Sequence, residues 1–376
     1  MSNSPSICLS NNASILEISS AHLIHNLKFF SQQLKNETKI MAVVKASAYG
    51  NGATAIAQLI EKEGLAAYFA VAQTQEGIQL KQAGVKLPIV ILNPRTEEFS
   101  LILKYNLEVE INHLAQLQSL EKVLSKELSI PSCSIHLKFN TGMNRLGFEK
   151  ADLTDLITIL KDEKKWRVKS IMTHLSASNL RTEDAYTLNQ FKCFDAIWEE
   201  LKAYLPSDCM RHALNSNGIV RFPEFQYDMV RLGIGMYGGS SVKEILKQTK
   251  EIGVFKSKIL QTRRVSKGAT MSYSRSGKVS KETHIATVAV GYADGFSRIL
   301  GNGNWEVEIN GKLYPTIGDI CMDLTLVDLG EDAYKDGEEV ILFGGKKSIH
   351  QYAKAMNTIT YEAMCRIGTR VKRILI

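Results

Sequence analysis

The 376-residue chain contains no apolar run near the roughly 20 residues that a membrane-spanning helix needs. An integral helical membrane protein is therefore not expected, and a membrane is not an expected partner. Six cysteines, Cys8, Cys133, Cys193, Cys209, Cys321 and Cys365, form no Cys-x-x-Cys pair and stand at no metal-ligand spacing with histidine. That scatter excludes a disulfide frame and a zinc site, and it suits reduced thiols in a cytosol. The opening residues, "MSNSPSICLSNNAS", lack a basic stretch followed by an apolar one, so a cytoplasmic protein without a secretory leader is expected. Concentrated charge is missing too: the net +7 gathers in no tract, and the densest basic stretch, "RVKRILI", is a short terminal one. With no basic face and no recognisable module, nucleic acid is excluded as a partner. Absent as well is a G-x-G-x-x-G phosphate loop after the first apolar run.

What is present is an alternation. Eight short apolar runs read as strands: residues 40–45, 68–73, 88–93, 107–112, 134–140, 168–175, 211–216 and 229–233. Between them, "TAIAQLIEKEG", "LAQLQSLEKVLSKEL", "DLTDLITILKDEK" and the long "EDAYTLNQFKCFDAIWEELKAY" carry apolar residues at helical spacing. An earlier helix is expected in "SAHLIHNLKFFSQQL", with Ser20 as its N-cap. Eight strands alternating with helices predict an α/β fold with a (β/α)8 barrel; an open doubly wound sheet would want the missing glycine loop. From about residue 250 the pattern turns to strands, with only "SIHQYAKAM" helical, and "EINGK" carries the Asn-Gly of a two-residue hairpin. The expected division is an N-terminal strand in 1–14 pairing with the β domain, a barrel over 15–245, and a mainly β domain over 246–376.

Barrel sites are built at the C-terminal ends of the strands, and here those ends are polar. They carry Lys45, Lys138 with Arg145 in the loop beyond it, His174, Ser216, and Arg231 followed by Gly233 and Ile234. Each alone is more often structural; together on one rim they are not bland. Ser216 and the backbone N–H groups of Gly233 and Ile234 suit a phosphate, because glycine lets backbone approach an anion closely. Tyr49 lies near enough in sequence to Lys45 to add its phenol. A strand-end lysine beside a phosphate cradle predicts pyridoxal 5'-phosphate held as a Schiff base. No metal is expected.

The stretch "AVVKASAYGNG" resembles the pyridoxal phosphate signature of the alanine racemase family, with Ser47 and Asn51 where Asn and His are usual. "KFNTGMNRLGF", "THLSASN", "HALNSNG", "VRLGIGMYGG", "TMSYSR", "AVGYADGFSR" and "GDICMDLTLVDL" follow in the family's order, so the resemblance spans nearly the whole chain. It implies a homodimeric isomerase that interconverts L- and D-alanine and supplies D-alanine for peptidoglycan. By the same resemblance Lys45 and Tyr273 are the two catalytic bases, Tyr273 reaching a neighbouring chain's site. Arg231 is implied to partner the pyridine nitrogen, supported by His174, and Arg145 to lie near the substrate carboxylate. Met322 would contact substrate, Tyr292 would line the access corridor, and Lys138 matches a lysine often carried as a carbamate. One departure is Thr369, where many members have a phosphate-contacting tyrosine.

Racemisation removes the α-hydrogen from one face and returns a proton to the other, so two bases on opposite faces are the economical solution. An alkyl ammonium and a phenol ordinarily titrate near 10, so each needs cationic neighbours or burial to act near neutrality. Three other readings stay open: a barrel decarboxylase of basic amino acids, a non-catalytic binder of the same cofactor, and a racemase for serine or a wider set of amino acids.

Overall fold

The computed structural model describes residues 13–126, 132–162 and 164–376. They fall into two units, one of Ala21–Lys250 and one joining the N-terminal residues up to Ser20 to Glu251–Ile376. In the first, eight parallel strands appear in the expected order: Lys39–Val43, Tyr68–Val71, Ile89–Ile91, Glu108–Ile111, Cys133–Lys138, Trp166–Met172, Met210–His212 and Met229–Leu232. Each pairs in parallel with its sequence neighbour from the first to the seventh, and the eighth pairs with the first. Two backbone hydrogen bonds, Asp228 N–H to Arg211 C=O (3.1 Å) and Arg231 N–H to Leu214 C=O (2.9 Å), join the eighth to the seventh. The sheet is thus a closed barrel of the (β/α)8 kind.

Continuous apolar runs make these strands because both faces are covered: Tyr68–Val71 and Ile89–Ile91 are buried at every position. Helices run between them at Ala53–Lys62, Leu114–Lys126, Leu153–Leu160 and Asp184–Leu201. Ser20 departs from expectation. It is the first residue of the helix Ser20–Gln32 rather than its cap, and its hydroxyl donates to the Ile376 carbonyl (2.5 Å).

The second unit is mainly β. Its longest strand, Gly253–Val265, pairs antiparallel with Ile15–Ile18, Thr283–Val288 and Glu339–Phe343. Ile15–Ile18 also pairs in parallel with Lys372–Leu375. The N-terminal strand therefore lies within the residues that the sequence reading had given to the barrel, and the division falls at Ser20. Residues 1–12 lie outside the described residues. The Asn310-Gly311 turn joins Glu306–Ile309 to Lys312–Pro315, both turn residues having positive φ (47° and 77°), as a primed hairpin requires. A helix the sequence did not suggest, Thr360–Cys365, follows Ile349–Ala355. Six residues are too few to display a period, and burial of Ala363 and Met364 fixes it.

Among the described residues all five cysteines are free, no cluster of histidine, cysteine, aspartate or glutamate could hold a metal ion, and no helix is long and apolar enough to cross a membrane.

Candidate active site

The first strand stops at Val43, short of Lys45. Val44 N–H still donates to Ala70 C=O (2.9 Å), and then the backbone coils left-handed, with φ of 51–54° at Ala46, Ser47, Ala48 and Tyr49. That conformation costs an L-residue roughly 1–2 kcal/mol. Side chains hold it in place. Glu76 accepts from Ala46 N–H (2.5 Å), Ala72 N–H (2.9 Å) and Gln73 N–H (3.0 Å). Asn51, one of the departures in this stretch, donates to the Ala48 and Tyr49 carbonyls (2.9 and 3.2 Å). Among the described residues, the other non-glycine positions of positive φ are asparagines, Tyr227, and three that surround Tyr273: Ser272, Ser274 and Arg275. Strained backbone thus gathers at the two candidate bases, as it does at functional sites.

Tyr49 is buried and its ring packs on Tyr237 with centroids 4.9 Å apart; the Tyr237 hydroxyl donates to Val43 C=O (2.9 Å). Across from it, Ser216 Oγ accepts from Gly233 N–H (3.0 Å) and Gly235 N–H (3.1 Å), which leaves its own proton to give. A Cβ on Gly233 would stand 2.7 Å from the Tyr49 phenol oxygen, and one on Gly235 would stand 2.4 Å from the Phe30 ring. A side chain at either position would force the Tyr49 or Phe30 ring to shift, so the two glycines permit this close approach. Ile234 opens a 3-10 turn, Ile234–Tyr237, and the first N–H groups of such a turn have no partner within it. Tyr49, Ser216, Gly233 and Ile234 thus come together as the sequence suggested.

Arg231 is buried, at 4% exposure. Its Nη1 donates to His212 Nδ1 (2.7 Å) and His212 C=O (3.1 Å); its Nη2 donates to Thr173 C=O (2.6 Å), Ala213 C=O (3.0 Å) and His174 Nδ1 (3.2 Å). Among the described residues only its Nε–H is left without a protein acceptor. Burial pulls the guanidinium down to about 10, against the pull of Glu110, so it is still charged at neutral pH. His174 is held well below the ordinary imidazole value by desolvation and then by the charges of Arg231, Arg145, Lys138 and Lys45. Those four cations therefore share one neighbourhood. Burial and Arg231 hold His212 low in the same way.

Two neutral imidazoles, His212 buried and His174 half-buried, give stability an acid limit. Their lowered folded values mean that the stability is present above the unfolded value of about 6.5 and is lost as pH falls below it. Each contributes a slope of about 1.4 kcal/mol per pH unit. Denaturant unfolding measured across mildly acidic pH should show that slope reduced by one proton's worth in His174→Gln; an unchanged slope would contradict the assignment. Glu110, raised by burial, acts in the opposite sense, so the difference between proteins is the quantity to read.

Lys138 Nζ donates to Glu110 Oε1 at 3.0 Å inside the barrel, and among the described residues Glu110 Oε2 has no hydrogen-bond partner. The Lys138 charge is met by a carboxylate, and a carbamate there would set a second anion against it. Removing the cation alone leaves a buried unpaired carboxylate. Lys138→Met should therefore cost about 3–5 kcal/mol, and the double change with Glu110→Leu should cost less than the single one, as chemical denaturation can measure. Arg145 is exposed in a loop whose turn is held by Asn140 Oδ1, which accepts from Gly142 and Asn144 N–H (3.1 and 2.9 Å).

Tyr273, Met322, Tyr292 and Thr369 belong to the β unit. Tyr273 sits at the tip of a hairpin formed by Thr270–Met271 and Gly277–Lys278, and it is 71% exposed. Both ends of the tip are pinned to Asp319: Ser272 Oγ donates to its carbonyl (2.7 Å), and its N–H donates to Ser276 Oγ (2.9 Å). Tyr273 and Met322 line one shallow recess with Ser272, Cys321, Asp323 and Leu324. Tyr292 N–H donates to Cys321 C=O (3.0 Å), which ties the third residue to the same loop. Thr369 is exposed beside Arg370, which pairs with Asp294 and Asp323 (2.7 Å each). Sequence reasoning missed His212 and Glu110. For Glu110 the available signal was polar residues two apart, on one face of an otherwise apolar strand, in "EVE" and in the neighbouring "HLK"; His212 had no such signal.

Two family descriptions match the chain: "Alanine racemase, N-terminal domain" over residues 18–241 and "Alanine racemase, C-terminal domain" over residues 252–375. Alanine racemase 1 of Oceanobacillus iheyensis is 34% identical over 371 residues, covering 95% of this chain and 96% of that protein. The solved alanine racemase of Clostridium difficile superposes with a TM-score of 0.91 at 33% identity, covering 97% and 96% of the two chains. That of Bacillus anthracis, solved with bound L-Ala-P, gives 0.89 at 27% identity, covering 97% and 95%.

Proposed function

Because the chain belongs to the alanine racemase family, we propose that it interconverts L- and D-alanine with pyridoxal phosphate, as a homodimer whose chains share their active sites. The reading rests above all on one rim of the barrel that carries Lys45, a cradle of Ser216, Gly233, Ile234 and Tyr49, and Arg231 with its Nε–H unspent. These residues fit the cofactor. The cradle gives N–H and O–H donors to a phosphate, and Arg231 offers one donor to a ring nitrogen. Lys45 would hold the aldehyde carbon through its amine.

When bound, pyridoxal phosphate supplies the electron-withdrawing system that makes an attached amino acid's α-hydrogen acidic. The chain's own groups do the rest. Arg231 stays protonated while donating a hydrogen bond, so it holds the ring without giving it a proton. Arg145 would hold the substrate carboxylate. On one face the Lys45 amine takes or returns the α-proton; on the other, the phenol of Tyr273 from the second chain does so. Met322 and Tyr292 would bound the small side chain and the approach to it. Supply of D-alanine for peptidoglycan in the cytoplasm is the corresponding role.

Exchange of the α-hydrogen in deuterated water, followed across a panel of amino acids, tests the reading. Alanine should show exchange with inversion at the highest kcat/KM. A higher value for serine would move the assignment to another racemase, because one small side-chain difference is worth only about 1–3 kcal/mol. Loss of carbon dioxide from basic amino acids without racemisation would identify a decarboxylase.

A further inference from the structure

Beyond His212, hydrogen bonds continue away from the rim. His212 Nε2 lies 2.8 Å from Ser170 Oγ, Ser170 Oγ lies 2.7 Å from His136 Nδ1, and His136 Nε2 lies 2.7 Å from Glu108 Oε2. These side chains come from adjacent strands, the seventh, sixth, fifth and fourth, with His136 and Ser170 in direct register. His136, Ser170 and His212 are fully buried. Glu108, at the N-terminal start of its strand, is 14% exposed and lines a cleft of about 470 Å³ with Lys81, Lys86 and Arg167. The series thus crosses the barrel from the end that carries the candidate site to the opposite mouth.

The direction of every link is dictated by the first. A guanidinium only donates, so His212 Nδ1 accepts from Arg231 and the His212 proton sits on Nε2. That proton goes to Ser170 Oγ. The Ser170 hydroxyl, with no solvent, donates in turn to His136 Nδ1, which puts the His136 proton on Nε2 and directs it to the Glu108 carboxylate. The alternative, a charged His136 beside Glu108, would aim a second N–H at Ser170 Oγ. The serine proton would then have no acceptor in the barrel interior, an arrangement proteins avoid. Meanwhile Arg231 is a buried cation whose hydrogen-bond acceptors are all neutral imidazoles and carbonyls. A buried charge without a bonded counter-charge is costly, and successive hydrogen bonds polarise one another in low dielectric.

We infer that Glu108, His136, Ser170 and His212 form a one-way hydrogen-bond chain that orients Arg231 and brings the influence of a carboxylate to it from the far mouth of the barrel. The four are positioning residues, and the proposal rests on the reading of Arg231 as the ring partner. Three links of the chain consist of groups with a single permitted orientation, so Arg231 cannot rotate toward solvent without leaving the buried His212 Nδ1 acceptor unpaired.

Nitrogen-15 NMR of the histidine-labelled holoenzyme, or its neutron crystal structure, reads the protons directly. His212 and His136 should both be neutral with the proton on Nε2; a proton on Nδ1 of either overturns the inference. The functional half is tested with Ser170→Ala and Ser170→Thr. Loss of the hydroxyl should lower kcat roughly threefold to tenfold, the worth of one hydrogen bond, with KM for alanine little changed and the absorbance of bound pyridoxal phosphate shifted. Threonine should restore both. An alanine variant with the parent's spectrum and kcat would refute the positioning role. A wild-type protein with both Nε2–H imidazoles and no racemase activity would instead refute the proposed reaction while supporting the chain's direction.

Discussion

Replacing Lys45 with alanine is expected to give a folded, colourless protein that racemises nothing. The wild-type protein should carry a yellow chromophore that borohydride bleaches irreversibly, leaving a pyridoxyl group on the peptide containing Lys45. Folding should survive because the turn at 45–49 is fixed by other residues: Glu76 holds Ala46 N–H, and Asn51 holds the Ala48 and Tyr49 carbonyls. The donors of the phosphate cradle come from Ser216, Gly233, Ile234 and Tyr49, so free pyridoxal phosphate should still bind the variant, without the bleachable link. Activity should fall on the order of 10⁴-fold or more, since one group is lost both as the covalent holder and as a base. Lys45→Arg is the sharper control. It keeps a cation at the strand end but cannot be deprotonated in a protein, so it should be as inactive as alanine. If either variant keeps the bleachable chromophore, the assignment of Lys45 fails.

Lys45 also marks where sequence and structure part. Its position at a strand end was legible, because "KIMAVV" is an apolar run covered on both faces, and such runs announce barrel strands. The left-handed coil that follows was not. Nothing in Ala46, Ser47 and Ala48 favours positive φ; the conformation is imposed by Glu76, 30 positions away. Long-range imposition also explains the helix Thr360–Cys365. The rim residues were legible one by one, since strand ends predict where side chains converge. What the rim leans on was not. His212, Ser170, His136 and the two glutamates of "EVE" look like ordinary strand alternation until closure of the barrel turns one face of every strand inward. Register then decides which of those inward polar groups meet.

Changing Tyr273 to phenylalanine should split the two halves of the reaction. Among the described residues the hydroxyl makes no hydrogen bond that folding needs: Tyr273 is 71% exposed at a hairpin tip pinned through Ser272, Ser276 and Asp319. Stability should therefore change by no more than about 0.5 kcal/mol, as for an ordinary surface substitution. The strained φ of 62° at Ser272 and 56° at Ser274 still presents the ring, now without its proton-carrying oxygen. Exchange of the α-hydrogen should fall roughly 10²–10⁴-fold for one enantiomer and far less for the other, where Lys45 acts. Equal, unchanged exchange from both enantiomers would remove Tyr273 from the reaction. The same variant decides whether a site is shared. In a twofold dimer of Lys45→Ala with Tyr273→Phe, one site draws an intact lysine from one chain and an intact tyrosine from the other, while the second site lacks both. Random exchange makes about half the dimers mixed, and half the sites in those are whole, so about one quarter of the parent activity should return. Were each site built within one chain, no mixed dimer would contain a complete one, and activity would stay at the level of the separate variants after subunit exchange has been verified by mass.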